Sequence, residues 1–171
     1  MKLISEYHGH ILEIITPSFF KNEFNFVAND LVLGSLKNID FWGNRYEINY
    51  GVKTWEIALA SIWKGKVDIK EKGKELPFAF YEPLGLKQAG SISLPNGEKI
   101  NLVFNLWKSA YELRNQINET IVTFSNKSFF SSTIVVTINK KNELIDKYPF
   151  VILLAYYISM KRKHAAAAIA H

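Results

Sequence analysis

Residues 91–107 read SISLPNGEKINLVFNLW, and this stretch decides the fold class. Apolar and polar side chains alternate along its second half, where one face carries Ile100, Leu102, Phe104 and Leu106. A period of two predicts a strand with one buried face. The first half alternates in the same way, and Pro95-Asn96-Gly97 separates the two halves. Because Asn-Gly readily adopts the positive φ angles of a tight turn, the stretch predicts an antiparallel β-hairpin.

Similar strand-like segments recur along most of the chain. The candidates upstream of the hairpin are 11–16, 24–28, 31–36, 45–50, 54–59, 66–70 and, more weakly, 77–81, and those downstream are 111–114, 121–124 and 133–138. With the hairpin they make about eleven or twelve short strands, each separated from the next by turn residues. Such a series predicts an antiparallel sandwich or barrel and argues against a parallel α/β sheet.

The composition is that of one globular domain. The chain has 171 residues, of which 48% are hydrophobic, and it contains no Gly/Ser-rich or Pro-rich linker and no obvious repeat. The absence of cysteine excludes disulfides and cysteine-based zinc sites, and it fits a reducing compartment. No apolar stretch of signal-peptide length opens the sequence. We therefore expect a cytoplasmic domain over residues 1–171, with attachment to a membrane surface as an option.

The end of the chain changes character. Asp146 can cap a helix, Pro149 suits a first helical turn, and the following run 150–160 is apolar on every side. A helix of this kind is either buried all round or placed in a membrane. Eleven residues rise only about 16 Å as a helix, against about 30 Å of hydrocarbon in a bilayer. We expect a buried helix over about 146–163 and a short Ala-rich tail at 165–171, with a tail anchor as the alternative.

Two stretches resemble the tubby C-terminal-like superfamily, which includes the phospholipid scramblase-like and LURP-one-related domains. The first runs from Gly90 through Trp107 to Asn115 and is similar to that group's recurring hairpins, including the strand Tyr111-Glu112-Leu113-Arg114. The second, 149–163, resembles the central helix and its basic exit. The resemblance implies a barrel of antiparallel strands that encloses this helix.

The same resemblance implies a non-enzymatic domain in a superfamily where contact with membrane lipid recurs. The chain departs from the group in two respects: it has no recognisable acidic calcium-binding loop and no apolar segment of full membrane-spanning length. The basic residues that contact phosphoinositides in tubby proteins have no assignable counterparts here. No functional residue is therefore carried over from the family to this sequence.

No catalytic, cofactor-binding or metal-binding residues are assigned from the sequence. The sequence contains no serine nucleophile in a Gly-x-Ser-x-Gly turn, no phosphate-binding loop and no dinucleotide fingerprint. His8 and His10 would share one face of a strand and could ligate a metal, but a third ligand is not evident, and exposed polar residues are the favoured interpretation. We expect a protein that is not an enzyme.

Two basic clusters are the candidate binding residues. Lys64, Lys66, Lys70 and Lys72 would project from one face of a strand, and Lys161, Arg162 and Lys163 follow the apolar run. The chain has a formal net charge of +5, and together with this charge the clusters indicate binding to an anionic phospholipid surface. A protein–protein interaction domain and a small-ligand-binding β-barrel are the alternatives. Both clusters can also be explained without a partner. The lysines of the first would form a solvated face or protect an edge strand, and the basic residues of the second would complement the macrodipole at the helix C-terminus.

Aromatic residues are numerous, and we expect most of them in the barrel core. The set considered is Phe19, Phe20, Phe41, Trp42, Trp55, Trp63 and Trp107. The adjacent pairs in this set allow a second interpretation, a rim that faces lipid or a ligand, because one member of an adjacent pair in a strand points outward. Nucleic acid binding is not expected, since it would require exposed aromatics interleaved with a broad basic face.

Overall fold

Twelve antiparallel strands and two α-helices make up the regular structure of residues 2–16, 23–61, 65–85, 89–128 and 131–169, which the computed structural model describes. The strands are β1 (Leu12–Ile15), β2 (Glu23–Ala28), β3 (Leu31–Asn38), β4 (Arg45–Tyr50), β5 (Lys53–Ser61), β6 (Lys66–Glu71), β7 (Ala79–Pro83), β8 (Ala89–Ser93), β9 (Lys99–Asn105), β10 (Ala110–Arg114), β11 (Thr120–Asn126) and β12 (Ile134–Ile138). The helices are α1 (Glu143–Lys147) and α2 (Phe150–Ile169), and 3₁₀ turns lie at Ile4–Tyr7 and Pro95–Gly97.

The strands form a closed barrel in which each strand pairs with its neighbours in sequence. The barrel closes where β1 pairs with β12, in a register that places Leu12 opposite Val136. Closure leaves no free sheet edge among these strands. The apolar residues of the alternating pattern form the inward face of the barrel. The predicted fold class, a mainly β antiparallel barrel, is confirmed.

The predicted hairpin is present as β8 and β9, with Ile92 opposite Ile100. In the turn Asn96 and Gly97 have φ angles of 63° and 77°, as the Asn-Gly pair predicts. One detail of the prediction is wrong: Leu106 does not continue the buried face but is 80% exposed. The strand ends one residue earlier, because Asn105 Oδ1 accepts a hydrogen bond from the Lys108 backbone N–H and turns the chain.

Helix α2 lies inside the barrel. Every residue from Phe150 to Ile158 is buried, as an all-round apolar helix requires. Its contacts reach strands around the whole barrel: Tyr156 packs on Phe24 of β2, Leu153 lies against Gly34 of β3, Tyr157 packs on Tyr46 of β4, Phe150 packs on Trp55 of β5, and Lys163 bonds to Asn126 of β11. Since β5 and β11 are on opposite sides of the barrel, the helix fills the interior.

The helix bounds differ from the predicted 146–163. Asp146 does not cap the buried helix but lies in α1, whose own cap is Asn142, with its side chain accepting from the Leu144 N–H at 2.9 Å. The chain breaks between the helices because Pro149 disfavours helical backbone at the preceding residue. At its other end α2 continues through most of the predicted Ala-rich tail as far as Ile169.

The barrel has two unlike ends. At the closed end, the Ser5 N–H and hydroxyl donate to the two carboxylate oxygens of Asp146 at 2.8 and 2.6 Å, which ties the first 3₁₀ turn to α1. At the opposite end, called the exit end here, α2 leaves the barrel among the connections 39–44 and 106–109. Consecutive turns of an antiparallel barrel alternate between its ends, so β3–β4 and β9–β10 both turn at the exit end.

Candidate functional site

The predicted lysine stripe lies along β6, but its charges are paired. Two of its three described lysines contact a glutamate of an adjacent strand, Lys66 with Glu82 and Lys70 with Glu56, both at 3.2 Å. Lys72, just after β6, contacts Glu47 of β4, the strand beyond β5, at 2.7 Å. Val67 and Ile69 between them point inward and are buried, as the alternation predicts. Lys64 lies outside the described residues. The described part of the stripe is therefore a set of cross-strand ion pairs with little net charge.

The tightest of these pairs shows its effect on both partners. The hydrogen bond from Lys72 lowers the pKa of Glu47, and the same bond raises the pKa of Lys72. Both shifts stabilise the charged forms, so the pair stays ionised across the physiological range. An anionic surface would have to compete with Glu47 for this lysine.

The basic residues at the end of α2 have a different environment. Lys161 Nζ donates to the Gly43 carbonyl at 2.6 Å, and Lys163 Nζ donates to Asn126 Oδ1 at 3.3 Å. Arg162 Nη2 donates to the Tyr81 hydroxyl at 2.6 Å and to the Ala89 carbonyl at 2.9 Å. All of these acceptors are neutral. Among the described residues, no carboxylate lies within 4.0 Å of the three cations, so their positive charge at the exit end is not compensated by pairing.

The start of β6 is the part of the described stripe that lies near the cations of α2. Gly65 and Val67 line a cavity of about 300 Å³ together with Lys161 and Arg162. Lys72 is six residues beyond Lys66, which places it about 20 Å further along the strand direction. The structure thus places Lys66, at the start of β6, near the exit end and leaves Lys70 and Lys72 away from it.

Exposed aromatic side chains stand on the connections of the exit end. Phe41 and Trp42 are 92% and 79% exposed in the β3–β4 connection, and Trp107 is 100% exposed in the β9–β10 connection. The expectation of a core position is wrong for these three, because they lie in turns and not in strands. It is confirmed for Trp55, which is buried. Phe19, Phe20 and Trp63 lie outside the described residues.

Hydrogen bonds hold the β3–β4 connection in place. Asp40 Oδ1 accepts from the backbone N–H groups of Asn44 and Arg45 at 2.9 and 3.1 Å, and Asn38 Oδ1 accepts from the Asp40 N–H at 3.1 Å. The bond from Lys161 to the Gly43 carbonyl joins the same connection to α2. Phe41 and Trp42 are therefore presented by an ordered turn, so little conformational entropy remains to be lost when they meet a partner.

The two aromatic connections lie on opposite sides of the exit end. In the closed order of strands, the β3–β4 turn is half a circuit away from the β9–β10 turn. With strands about 4.8 Å apart and tilted by about 40°, a barrel of this size is about 24 Å across. Trp42 and Trp107 therefore flank the helix exit, with the cations of α2 between them. This arrangement suits contact with a broad surface better than contact with a small epitope.

Glu112 is the most deeply buried charged side chain described, with 1% exposure. Its carboxylate accepts hydrogen bonds from the side chains of Asn105, Lys108, Arg114 and Thr120 at 2.7–3.3 Å. Burial alone would raise the pKa of Glu112, but these bonds outweigh burial and lower it. A carboxylate kept ionised and fully bonded stabilises the barrel wall and has no free proton to exchange with a substrate.

The histidines do not form the strand pair considered from the sequence. His8 ends the first 3₁₀ turn, where its Nε2 lies 3.2 Å from the Asn139 carbonyl, and His10 packs edge-on against Tyr7 before β1 begins. Within the described ranges, no group of three or more potential metal-ligating side chains comes together.

None of the described helices combines the length and hydrophobicity that crossing a bilayer requires. Comparison of the chain with protein families, curated proteins and solved structures finds no match.

Proposed function

We propose that this domain is a non-enzymatic module that binds anionic membrane surfaces through its exit end. One observation carries the proposal: the exposed aromatic residues Phe41, Trp42 and Trp107 surround a helix exit whose three cations have no acidic partner among the described residues. Trp is favoured at the membrane–water interface because it has a large apolar ring and one polar N–H. Basic residues beside such rings add attraction to anionic headgroups.

The magnitudes favour the aromatic residues as the larger contribution. Three basic residues near an anionic leaflet contribute about 1 kcal/mol each. Half-burial of an aromatic side chain removes about 100 Å² from water, which is worth about 2–3 kcal/mol per residue. Salt screens the charges but not the apolar contact. Binding by the exit end should therefore weaken at high salt without disappearing.

Membership of the tubby C-terminal-like superfamily is part of the same proposal. The closed barrel around an apolar helix agrees with the architecture that the sequence resemblance implies. The predicted lysine stripe stays a prediction, and its ion pairs with Glu47, Glu56 and Glu82 argue for a smaller part in binding than that of α2. We place the domain on the cytoplasmic face of a membrane.

Co-sedimentation with vesicles tests the proposal. The full chain is mixed with phosphatidylcholine vesicles that contain or lack phosphatidylserine, at low and at high salt. Wild-type protein should sediment with the anionic vesicles, and the Trp42→Ala/Trp107→Ala variant should bind at least tenfold more weakly, because each factor of ten needs only about 1.4 kcal/mol. Val52→Ala is the matched control, since Val52 is fully exposed at the closed end and should not affect binding.

A second control separates the exit end from the stripe. Lys70→Gln/Lys72→Gln removes two cations that are already paired and should change binding by less than twofold. A loss as large as that of the tryptophan variant would move the binding surface to the stripe and contradict the proposal. Wild-type protein that ignores anionic vesicles at low salt would also refute it, and the exposed aromatic pair would then point to a protein partner.

A further inference from the structure

A cavity of about 190 Å³ lies at the exit end between α2 and strands β9 to β12. The apolar side chains Phe104, Phe124 and Ile134 line one part of it, and Ser109, Asn126, Arg162 and Lys163 line another. Helix α2 fills the rest of the barrel, so this space is a side pocket at the mouth and not a central chamber. An apolar wall with a few convergent polar groups is the usual composition of a small-molecule site.

Tyr111 adds a polar group to this cavity. It is 5% exposed, it lines the cavity, and no hydrogen bond joins its hydroxyl to another described residue. Burial raises the pKa of Tyr111, while the nearby Arg162 opposes that effect, so the hydroxyl remains a neutral donor close to the guanidinium. A hydroxyl that faces a cavity and has no protein partner can bond to a ligand there in place of water.

Arg162 also has donors to spare. Its Nη2 atom makes both of its hydrogen bonds to the barrel, to Tyr81 and Ala89. These bonds fix the guanidinium at the mouth and leave Nε and Nη1 without a partner among the described residues. Both parallel pairs of N–H groups in a guanidinium include Nη2, which is already bonded, so Nε and Nη1 can each donate one charge-assisted hydrogen bond to an oxyanion.

We propose that this cavity binds small amphipathic carboxylates. The carboxylate is held by Arg162, Lys163 and the Tyr111 hydroxyl, and the apolar body packs against Phe104 and Phe124. The volume corresponds to about six water molecules, which suits a ligand of about nine non-hydrogen atoms, such as an aryl carboxylate. This site takes a dissolved ligand, so it stands or fails separately from membrane binding.

Titration of the ¹⁵N-labelled full chain with benzoate tests the site in the absence of vesicles. Amide shifts should saturate at residues around the cavity with a Kd of about 0.1–3 mM, as expected for so small a ligand. Benzyl alcohol, which keeps the ring and lacks the charge, should bind at least several-fold more weakly. Equal binding of the two compounds, or shifts that map elsewhere, would overturn the proposal, as would the absence of saturable shifts in the wild-type protein.

Two variants locate the carboxylate. Tyr111→Phe keeps the ring in the core and should weaken benzoate binding about five- to tenfold through the lost hydrogen bond. Tyr50→Phe is its matched control, because the Tyr50 hydroxyl is buried without a partner and lies at the closed end of β4, away from the cavity. Lys163→Gln, at an exposed position, should weaken binding several-fold and leave folding intact. Unchanged affinity in both Tyr111→Phe and Lys163→Gln would refute the assigned contacts.

Discussion

Leu153→Ala tests whether the buried helix holds the barrel together. Leu153 is fully buried near the middle of the apolar part of α2, and its Cδ1 atom lies against Gly34 on the barrel wall. The substitution removes three carbon atoms from a closely packed interior. A surrounding barrel cannot collapse far into the space, because its strands are bonded to each other around the whole circumference.

The cost has two parts. Loss of the transfer free energy of three carbons is worth about 2.4 kcal/mol. A remaining cavity of about 60–80 Å³ adds about 1.5–2 kcal/mol. The free energy of unfolding should therefore fall by about 4 kcal/mol, a large part of the stability of an ordinary domain. In a chain of this length the midpoint of thermal unfolding should drop by about 8–16 °C.

Guanidinium unfolding followed by tryptophan fluorescence measures this change, since Trp55 is buried against Phe150 and reports on the core. Leu106→Ala is the matched control: the chemical change is the same, but Leu106 is 80% exposed, so the change in stability should stay within about 0.5 kcal/mol. A cost at Leu153 below about 1 kcal/mol, or equal to that at Leu106, would refute the interior position of α2.

Three further substitutions test other parts of the fold. Asp146→Asn replaces the carboxylate that accepts both hydrogen bonds from Ser5 with a neutral amide. The free energy of unfolding, measured with denaturant, should fall by about 1–2 kcal/mol, and amide exchange in the first 3₁₀ turn should increase. The lowered pKa of Glu112 means that its contribution to stability is present above the ordinary glutamate pKa of about 4.3 and is lost as pH falls through the lower folded-state value. Glu112→Gln should therefore be less stable at pH 7 and show a shallower loss of stability on acidification than wild type; parallel pH curves would contradict this assignment. Gly34→Ala would place a Cβ atom 2.5 Å from the Asn49 carbonyl oxygen of β4, so the strands must shift, and thermal unfolding should reveal a loss of about 1–3 kcal/mol.

The barrel could be predicted because its signals are local. Strand alternation, the Asn96-Gly97 turn and the apolar run that begins at Phe150 each follow from a few consecutive residues, and the structure agrees with them. The start of α2 could not be placed from the same kind of evidence. Asp146 and Pro149 resemble a cap and a first turn, but Asp146 bonds to Ser5, which is 141 residues away in sequence. A contact over that distance leaves no trace in the local pattern.

The exit end was harder to predict, because its character depends on exposure and pairing. Trp55 and Trp107 are the same residue type, yet one is buried and the other fully exposed. The available signal was the position of Trp107 next to Lys108 and Ser109, where the strand pattern stops. For Phe41-Trp42 the signal was the following Gly43-Asn44, which marks a turn.

The strand register of the barrel decides which charged residues form pairs, so these pairs could not be predicted from the sequence. Lys70 is directly opposite Glu56 because β5 and β6 pair in one particular register, and a shift by one residue would separate the two charges. The cations of α2 have a different origin. The apolar residues of the helix occupy the interior, so the next residues, beginning with Lys161, must lie at the rim.

The position of α2 along the barrel axis links the core to the proposed binding surface. Lys161 follows Leu153 by eight residues, or about 12 Å of helix, so the depth at which Leu153 packs sets the height of Lys161 at the mouth. Its bond to the Gly43 carbonyl then fixes the connection that presents Phe41 and Trp42. A change that moves the helix along its axis would alter the packing of the interior and the order of this turn together. Binding at the exit end is therefore expected to depend on the seating of α2, even though no apolar residue of the buried segment would touch the membrane.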